Sequence, residues 1–520
     1  MSGTEGMDRG GAARRWAAAC LIGLFAVLVG RFWDPCYGFT KFFQFDSSDV
    51  DSAVPEMRKN PVYVYPGYDG YDGYSYAEIA YHPLLDTAQL GPALGNVPYR
   101  ARRILGSALA WILSGGRSAW IADVYGALNP LAWLVLAAIT WKLLPVKDWR
   151  SWGAWAAFLL SCGALHSVRL ALTDLPGVTL LAGAVLLLER RRNGWAISVL
   201  ALGGLARETI LAGAVALWRK PCNGPGAWRA NAARTAAAAA PLLIWMAYVR
   251  WKAGPAMQGV DNFTWPVVGW VEKWGEIAGN FHRQPHYGWL NTATLLATIA
   301  LTVQAAYLIC RPNPDEAWWR VGAGGVAMMA CFGTSVWEGH PGAAERVLLP
   351  MSLAFTVIAV RQRAAAIWLI FGNLSILSGI LALGHVPEIP GELAAGRAGG
   401  VAFEARLEDG WYGLEEGKGH TWAWTAGRAG LVLRSWSQTE APLHAHVAVR
   451  ALGVRSLEIR ANGVLLWNGQ IDRNLRWIEF DGIRTGLTHL DLSSEQAPVL
   501  ESAATHAREL GFAVYGLKID

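Results

Sequence analysis

Long apolar runs with short polar breaks fill the first 384 residues, and a different rhythm takes over after residue 400. Runs long enough to cross about 30 Å of hydrocarbon lie at 16–33, 119–144, 151–167, 170–188, 235–251, 290–310, 321–337, 347–361 and 366–384. Each predicts a helix. Two more stretches are ambiguous, 104–114 because it is short and 195–218 because Arg207-Glu208 interrupts it. The pattern predicts a polytopic α-helical membrane protein with nine to eleven transmembrane helices.

From residue 401 the period changes to two, as in Leu443-His-Ala-His-Val-Ala-Val-Arg, Ser456-Leu-Glu-Ile-Arg and Arg476-Trp-Ile-Glu-Phe. Asn462-Gly463, Asn468-Gly469 and Asp481-Gly482 separate such runs. Alternation broken by these turn pairs predicts an antiparallel all-β sandwich, and about 120 residues can enclose a core of their own. The expected organisation is a membrane domain over 1–384 with external loops at 34–98 and 252–289, a linker at 385–400, and an external sandwich at 401–520.

Composition sharpens the class. Residues are 53% hydrophobic and only 16% charged, against about 25% charged in an ordinary soluble domain. The 28 tryptophans suit a chain with many membrane–water interfaces. Arg14-Arg15 before the apolar run, with no small-residue cleavage site after it, reads as an uncleaved signal anchor. With the N-terminus inside, Lys142, Arg190, Arg191, Arg192, Arg311 and Arg361 fall on the cytoplasmic side if neither ambiguous stretch crosses. If both cross, the positives from Lys142 to Arg192 move outside. The net charge of +5 is dispersed, so nothing points to nucleic acid, and six cysteines without ligand-like spacing suggest neither a disulfide framework nor zinc. No HExxH, GxSxG or Walker sequence is present.

Ionisable groups against a bilayer are costly and are functional candidates. The loop 34–98 holds nine acidic and three basic residues. Within it, Asp69 and Asp72 sit in Gly/Tyr-rich sequence with Tyr71, Tyr76 and His82 close by. A carboxylate there can take a proton from a hydroxyl nucleophile, or Asp-Gly can simply be a turn. Arg100, Arg102 and Arg103 open the next apolar stretch from the outer side. Their planar forks suit phosphate oxygens, although they can also reach towards lipid headgroups. Arg207 and Glu208 lie in apolar sequence; as helix neighbours they do not face each other, so each needs its own partner. Glu345-Arg346, with Arg169 and Asp174, form the last group, for which interfacial anchoring is the alternative.

His444 and His446 share a strand face, a metal-like pair without an evident third ligand, and a solvated face explains them without a metal. Trp422 and Trp424 form either a sugar-stacking platform or part of a sandwich core. Gly322-Ala-Gly-Gly lies in a hydrophobic run with no strand before it, which predicts helix packing rather than a phosphate loop.

Tyr71-Asp-Gly-Tyr-Ser-Tyr-Ala-Glu-Ile-Ala80, soon after a first transmembrane run, resembles the Asp-Gly-x-x-Tyr-x-x-Ile-Ala signature in the first external loop of GT-C-fold glycosyltransferases. Tyr99-Arg-Ala-Arg-Arg-Ile-Leu105 and Ala206-Arg-Glu-Thr209 are similar to later runs in bacterial members. Ser75 departs from the pattern, standing where an aromatic commonly precedes the tyrosine. The resemblance covers residues 16–384. It implies an inverting transfer of a sugar from a polyprenyl-phosphate carrier to a lipid, glycan or protein hydroxyl, at the external face of the plasma membrane. Asp72 matches the proposed base, and Asp69, in the duplicated Tyr-Asp-Gly, is the other match. Arg100, Arg102, Arg103 and Arg346 are the expected donor-phosphate ligands. Tyr71, Tyr76, His82, Arg207 and Glu208 are expected to bind substrate or to form a structural network. Neither metal nor cofactor is expected, and the partners would be membrane lipid, the lipid-linked sugar and its acceptor, with no nucleic acid. The C-terminal segment resembles sandwich domains appended to bacterial envelope-polysaccharide enzymes. A lipid-linked glycan transporter and a non-catalytic glycan-binding scaffold are the competing classes.

Overall fold

The computed structural model describes the chain except residues 1–4, 66–69, 219–224, 256–259, 418–419, 438–441 and 502–507. It divides into a helical unit, which holds residues 64–386, and a second unit, which holds residues 387–520.

Among the described residues of the helical unit, four helices are long and apolar enough to cross a bilayer: Gly10–Gly30, Ser118–Leu143, Ala227–Ala253 and Gly288–Cys310. Hydropathy predicts nine to eleven such helices, and the remaining stretches are shorter or broken. The run at 151–167 becomes Trp149–Leu159 and Cys162–Arg169, parted at Ser161. The run at 366–384 becomes Ala366–Phe371 and Ile376–Ala382, split after Gly372. The run at 321–337 ends as a helix at Cys331, because Phe332 leaves to bridge Phe263 and Gly333 sits where a Cβ would lie 2.2 Å from the Asp261 carbonyl oxygen. Hydropathy sums over such breaks because they cost one or two polar positions, whereas a helix needs unbroken i to i−4 bonds.

Gly322 and Gly325 do act as packing residues. A Cβ at Gly322 would lie 2.8 Å from the Leu308 side chain, and one at Gly325 would lie 2.6 Å from Met351. Helix Ala317–Cys331 thereby approaches Gly288–Cys310 and Leu349–Arg361 closely.

The second unit is a two-sheet sandwich. The strands of the two sheets are β1 (Glu392–Ala398), β2 (Val401–Leu407), β3 (Trp411–Gly417), β4 (His420–Thr425), β5 (Arg428–Ser437), β6 (Leu443–Ala451), β7 (Arg455–Ala461), β8 (Val464–Ile471), β9 (Arg476–Ile483), β10 (Gly486–Ser493) and β11 (Phe512–Ile519). One sheet runs β8-β7-β10-β5-β2-β1 and the other β9-β6-β11-β4-β3, with every described pairing antiparallel. Alternate positions of the central strands fill the core, among them Leu431, Leu433, Ala445, Val447, Leu490 and Leu492. Strand β1 occupies the stretch read as a linker; its small residues and single buried Leu393 give too little alternation to mark a strand.

Trp424 is buried against Leu510 and Ala513, and Trp422 stacks on Tyr515, so these tryptophans belong to a satellite core rather than to an open platform. Two pieces of the first loop, Trp33–Gly38 and Pro55–Tyr63, belong to this unit as well. Tyr37 donates its hydroxyl to Glu404 at 2.6 Å, and the Arg397 Nε–H donates to the Cys36 carbonyl at 2.8 Å.

Candidate functional site

The site lies in the helical unit and starts at Asp72, the first residue of helix Asp72–Tyr81. A carboxylate is favoured there by the unpaired amides of the first turn. Gly73 follows because backbone passes close by: a Cβ would lie 2.2 Å from the Leu170 carbonyl oxygen. The rest of the helix is buried, with Ala77, Ile79 and Ala80 fully enclosed, so the Asp-Gly head is pinned by its own apolar tail. The helix ends at His82, whose backbone N–H bonds the Ile79 carbonyl.

Arg100 lies 3.4 Å from the Asp72 carboxylate through Nε, and its Nη1 donates to the Leu94 carbonyl at 2.6 Å. The Asp72 side chain remains about a third exposed, at 36%, so a substrate can reach it. Arg102 donates to the Tyr99 carbonyl and lies over the Tyr99 ring, 4.7 Å from its centroid. Arg103 is different: its fork grips both oxygens of Glu208 at 3.0 and 2.9 Å, and Nη1 donates to the Tyr76 hydroxyl at 2.5 Å. Burial pushes the Tyr76 hydroxyl up to about 12, although Arg103 pulls the other way.

A second layer centres on Asp174. Its carboxylate pairs with Arg207 at 2.8 Å and with Arg346 at 3.3 Å. Arg346 also donates to the Tyr71 hydroxyl at 2.5 Å, beside Asp72 in sequence. Arg207 and Glu208, adjacent in the chain, thus serve separate ion pairs, one with Asp174 and one with Arg103. The structure brings these residues together in three adjoining groups, Asp72 with Arg100, Arg102 and Arg103 with Glu208 and Tyr76, and Arg207 and Arg346 with Asp174 and Tyr71. Asp69 lies outside the described residues.

His82 lines a groove of about 790 Å³ with Leu84, Ile104, Trp111, Ile112 and Trp245. Mostly apolar walls suit a hydrocarbon chain.

Two carboxylates were not singled out as chemical groups from sequence. Glu78 is buried within the motif helix; one oxygen accepts from the Val54 amide at 3.3 Å, and Oε2 has no hydrogen-bond partner among the described residues. Burial pushes its pKa to about 8. Asp49 bonds the Tyr74 hydroxyl, which burial pushes upward. The signal for both was the acidic excess of the loop, which marks no individual residue.

No family model matches the chain, and no curated protein matches it. Among solved structures, the arabinosyltransferase EmbB from Mycobacterium smegmatis is similar at 11% sequence identity over 96% of this chain and 64% of that one, with a TM-score of 0.21. The chain therefore spans under two thirds of that protein's length. So loose a likeness decides neither fold nor activity.

Proposed function

We propose that the chain is a membrane glycosyltransferase that moves a sugar from a polyprenyl-phosphate donor to a lipid, glycan or protein hydroxyl on the external face of the membrane. The observation that carries this reading is an accessible carboxylate, Asp72, at the head of a buried helix with Arg100 3.4 Å away. The motif that places it resembles that of GT-C-fold enzymes.

In this reading the acceptor hydroxyl gives its proton to Asp72 as its oxygen attacks the anomeric carbon from the face opposite the phosphate. The bond from that carbon to the phosphate oxygen breaks, and polyprenyl phosphate leaves with an added negative charge. Cationic forks already in place are effective at that moment, because they need not reorganise. Arg100 and Arg102 retain partly exposed side chains, at 25% and 22%, and are the direct phosphate contacts. A phosphate that draws Arg100 off Asp72 also frees the carboxylate to accept the proton. Arg103 has its fork taken up by Glu208 and Tyr76, so its part is to hold Tyr76 and the Arg102 loop in place. Arg346 orients Tyr71. The groove at His82 and Trp245 takes the first isoprene units of the carrier. The lipid-linked sugar is a substrate, and no cofactor enters the scheme.

Transfer from a labelled polyprenyl-phosphate sugar in proteoliposomes tests this. Asp72→Asn is expected to lower turnover by about 10²–10⁴-fold, the usual contribution of a positioned base. Undiminished turnover in Asp72→Asn with loss in Asp69→Asn moves the base to Asp69. Carrier lipid crossing between leaflets with no new glycosidic bond overturns the transferase reading in favour of a transporter.

A further inference from the structure

The outer face of the second sheet gathers two imidazoles and three carboxylates from three neighbouring strands. On β6, His444 and His446 alternate with the buried Ala445 and Val447, so both rings point away from the core. The rings meet edge to face with centroids 4.7 Å apart. On β9, Glu479 is the register partner of His446, and on β11 the partner is Lys518, two residues before Asp520. The Asp520 amide bonds the His444 carbonyl at 3.0 Å, which holds Asp520 alongside the pair. Donor atoms of His444, His446 and Glu479 all lie within 4.8 Å of one another.

The remaining two carboxylates fix the rings. Asp481 lies 2.6 Å from Nδ1 of His444, and Asp520 lies 2.9 Å from Nε2 of His446. Histidines that bind metal almost always give their other ring N–H to a carboxylate, carbonyl or water, which sets the tautomer and aims the lone pair. Both histidines have that arrangement here. With those nitrogens engaged, Nε2 of His444 and Nδ1 of His446 are the atoms left for a metal, and Nδ1 of His446 lies 3.6 Å from Glu479 Oε1. Cross-strand packing supplies the third ligand that the His-x-His spacing lacked.

We infer that His444, His446 and Glu479 form a binding site for a borderline divalent ion of the zinc type, with Asp481 and Asp520 as positioning residues. Two imidazoles and one carboxylate are a zinc-like donor set that leaves a fourth position for water or a partner's ligand. The site has too few oxygens for calcium, which takes six to eight, and imidazole nitrogen disfavours magnesium. The ion ties β6 to β9 near the edge of the sheet, and this inference stands independently of the transferase reading.

The test uses the full chain, purified in detergent, stripped with chelator and titrated with zinc chloride, with bound metal measured after gel filtration. The wild type is expected to retain one more equivalent of zinc than His446→Ala, and to gain thermal stability with added zinc by mass action. Asp520→Asn is expected to weaken that equivalent by about 10–100-fold. His489→Ala, which removes a histidine paired with Glu408 elsewhere on the sandwich, leaves it unchanged. Calcium and magnesium at the same concentration should not compete. Equal zinc on wild type and His446→Ala, or equal losses in Asp520→Asn and His489→Ala, would overturn the site.

Discussion

The helical unit and the sandwich both set cations against carboxylates, but they do so at opposite extremes of solvent exposure. Behind Asp72 the paired groups are enclosed, Arg103 being 6% exposed and Asp174 only 1%, whereas Asp72 and Arg100 themselves stay 36% and 25% exposed. On the sandwich face, Glu479, Asp481 and Asp520 are each more than half exposed. A charge out of water must be matched within the protein, so the first cluster is a network in which each member is needed by another. A charge in water needs no match, so the second cluster can wait for an ion.

The largest stability effect that would break this contrast is expected at Arg103. Arg103→Leu strands Glu208, and losing one partner of a buried pair costs about 3–5 kcal/mol. The low end applies, since Arg102 Nη2 lies 4.0 Å from that carboxylate and Glu208 is itself partly exposed. Chemical unfolding of the variant against Arg103→Leu/Glu208→Leu measures it; the double variant should recover part of the loss. If the single variant is as stable as wild type, the network is not the tightly coupled element described.

The effect expected at Glu78 depends on pH and is absent in acid. Its folded pKa of about 8 stands above its ordinary 4.5, so the folded chain holds a proton that the unfolded chain has released across that window. Its contribution is full below about pH 4.5, the ordinary value, and is lost as the pH rises through about 8. Glu78→Gln is expected to flatten the fall in unfolding temperature between those limits and to leave the variant more stable than wild type at the alkaline end. An unaltered pH profile would show that the carboxyl is not held protonated.

The smallest effect is expected on the sandwich surface. His489 and Glu408 pair at 3.0 Å with side chains 50% and 37% exposed. Pairs of this kind contribute about 0–1 kcal/mol, so Glu408→Gln should lower the unfolding free energy by no more than that. A loss as large as that at Arg103 would erase the distinction between the two regions.

Much of the sandwich was legible because its rule is local. Alternation in Leu443-His-Ala-His-Val and the Asn462-Gly463 turn depend only on neighbours in sequence, and the strands lie where those patterns run. Two expectations fail: Asn468-Gly469 and Asp481-Gly482, read as turns, lie inside β8 and β9, where cross-strand pairing overrides local turn preference, and β1 has side chains too small to alternate visibly. The helical half was legible in kind and not in detail, since hydropathy averages over Ser161, Gly333 and Gly372, where single residues end helices. In the site, Asp72-Gly73 and the arginines from Arg100 to Arg103 stood out as charge at an apolar boundary. Which arginine faces which carboxylate did not.

By itself, then, the sequence determined the apolar character of the first 384 residues, the strand rhythm after 400, and the short list of charged groups that could do chemistry. Those follow from composition and from periods of a few residues. Only the tertiary structure decided that Glu208 belongs to Arg103, that Asp174 bridges Arg207 and Arg346, and that Glu479 comes to His446. Ion pairs and ligand sets form between side chains that meet in space, and contacts between residues far apart in sequence leave no period along the chain.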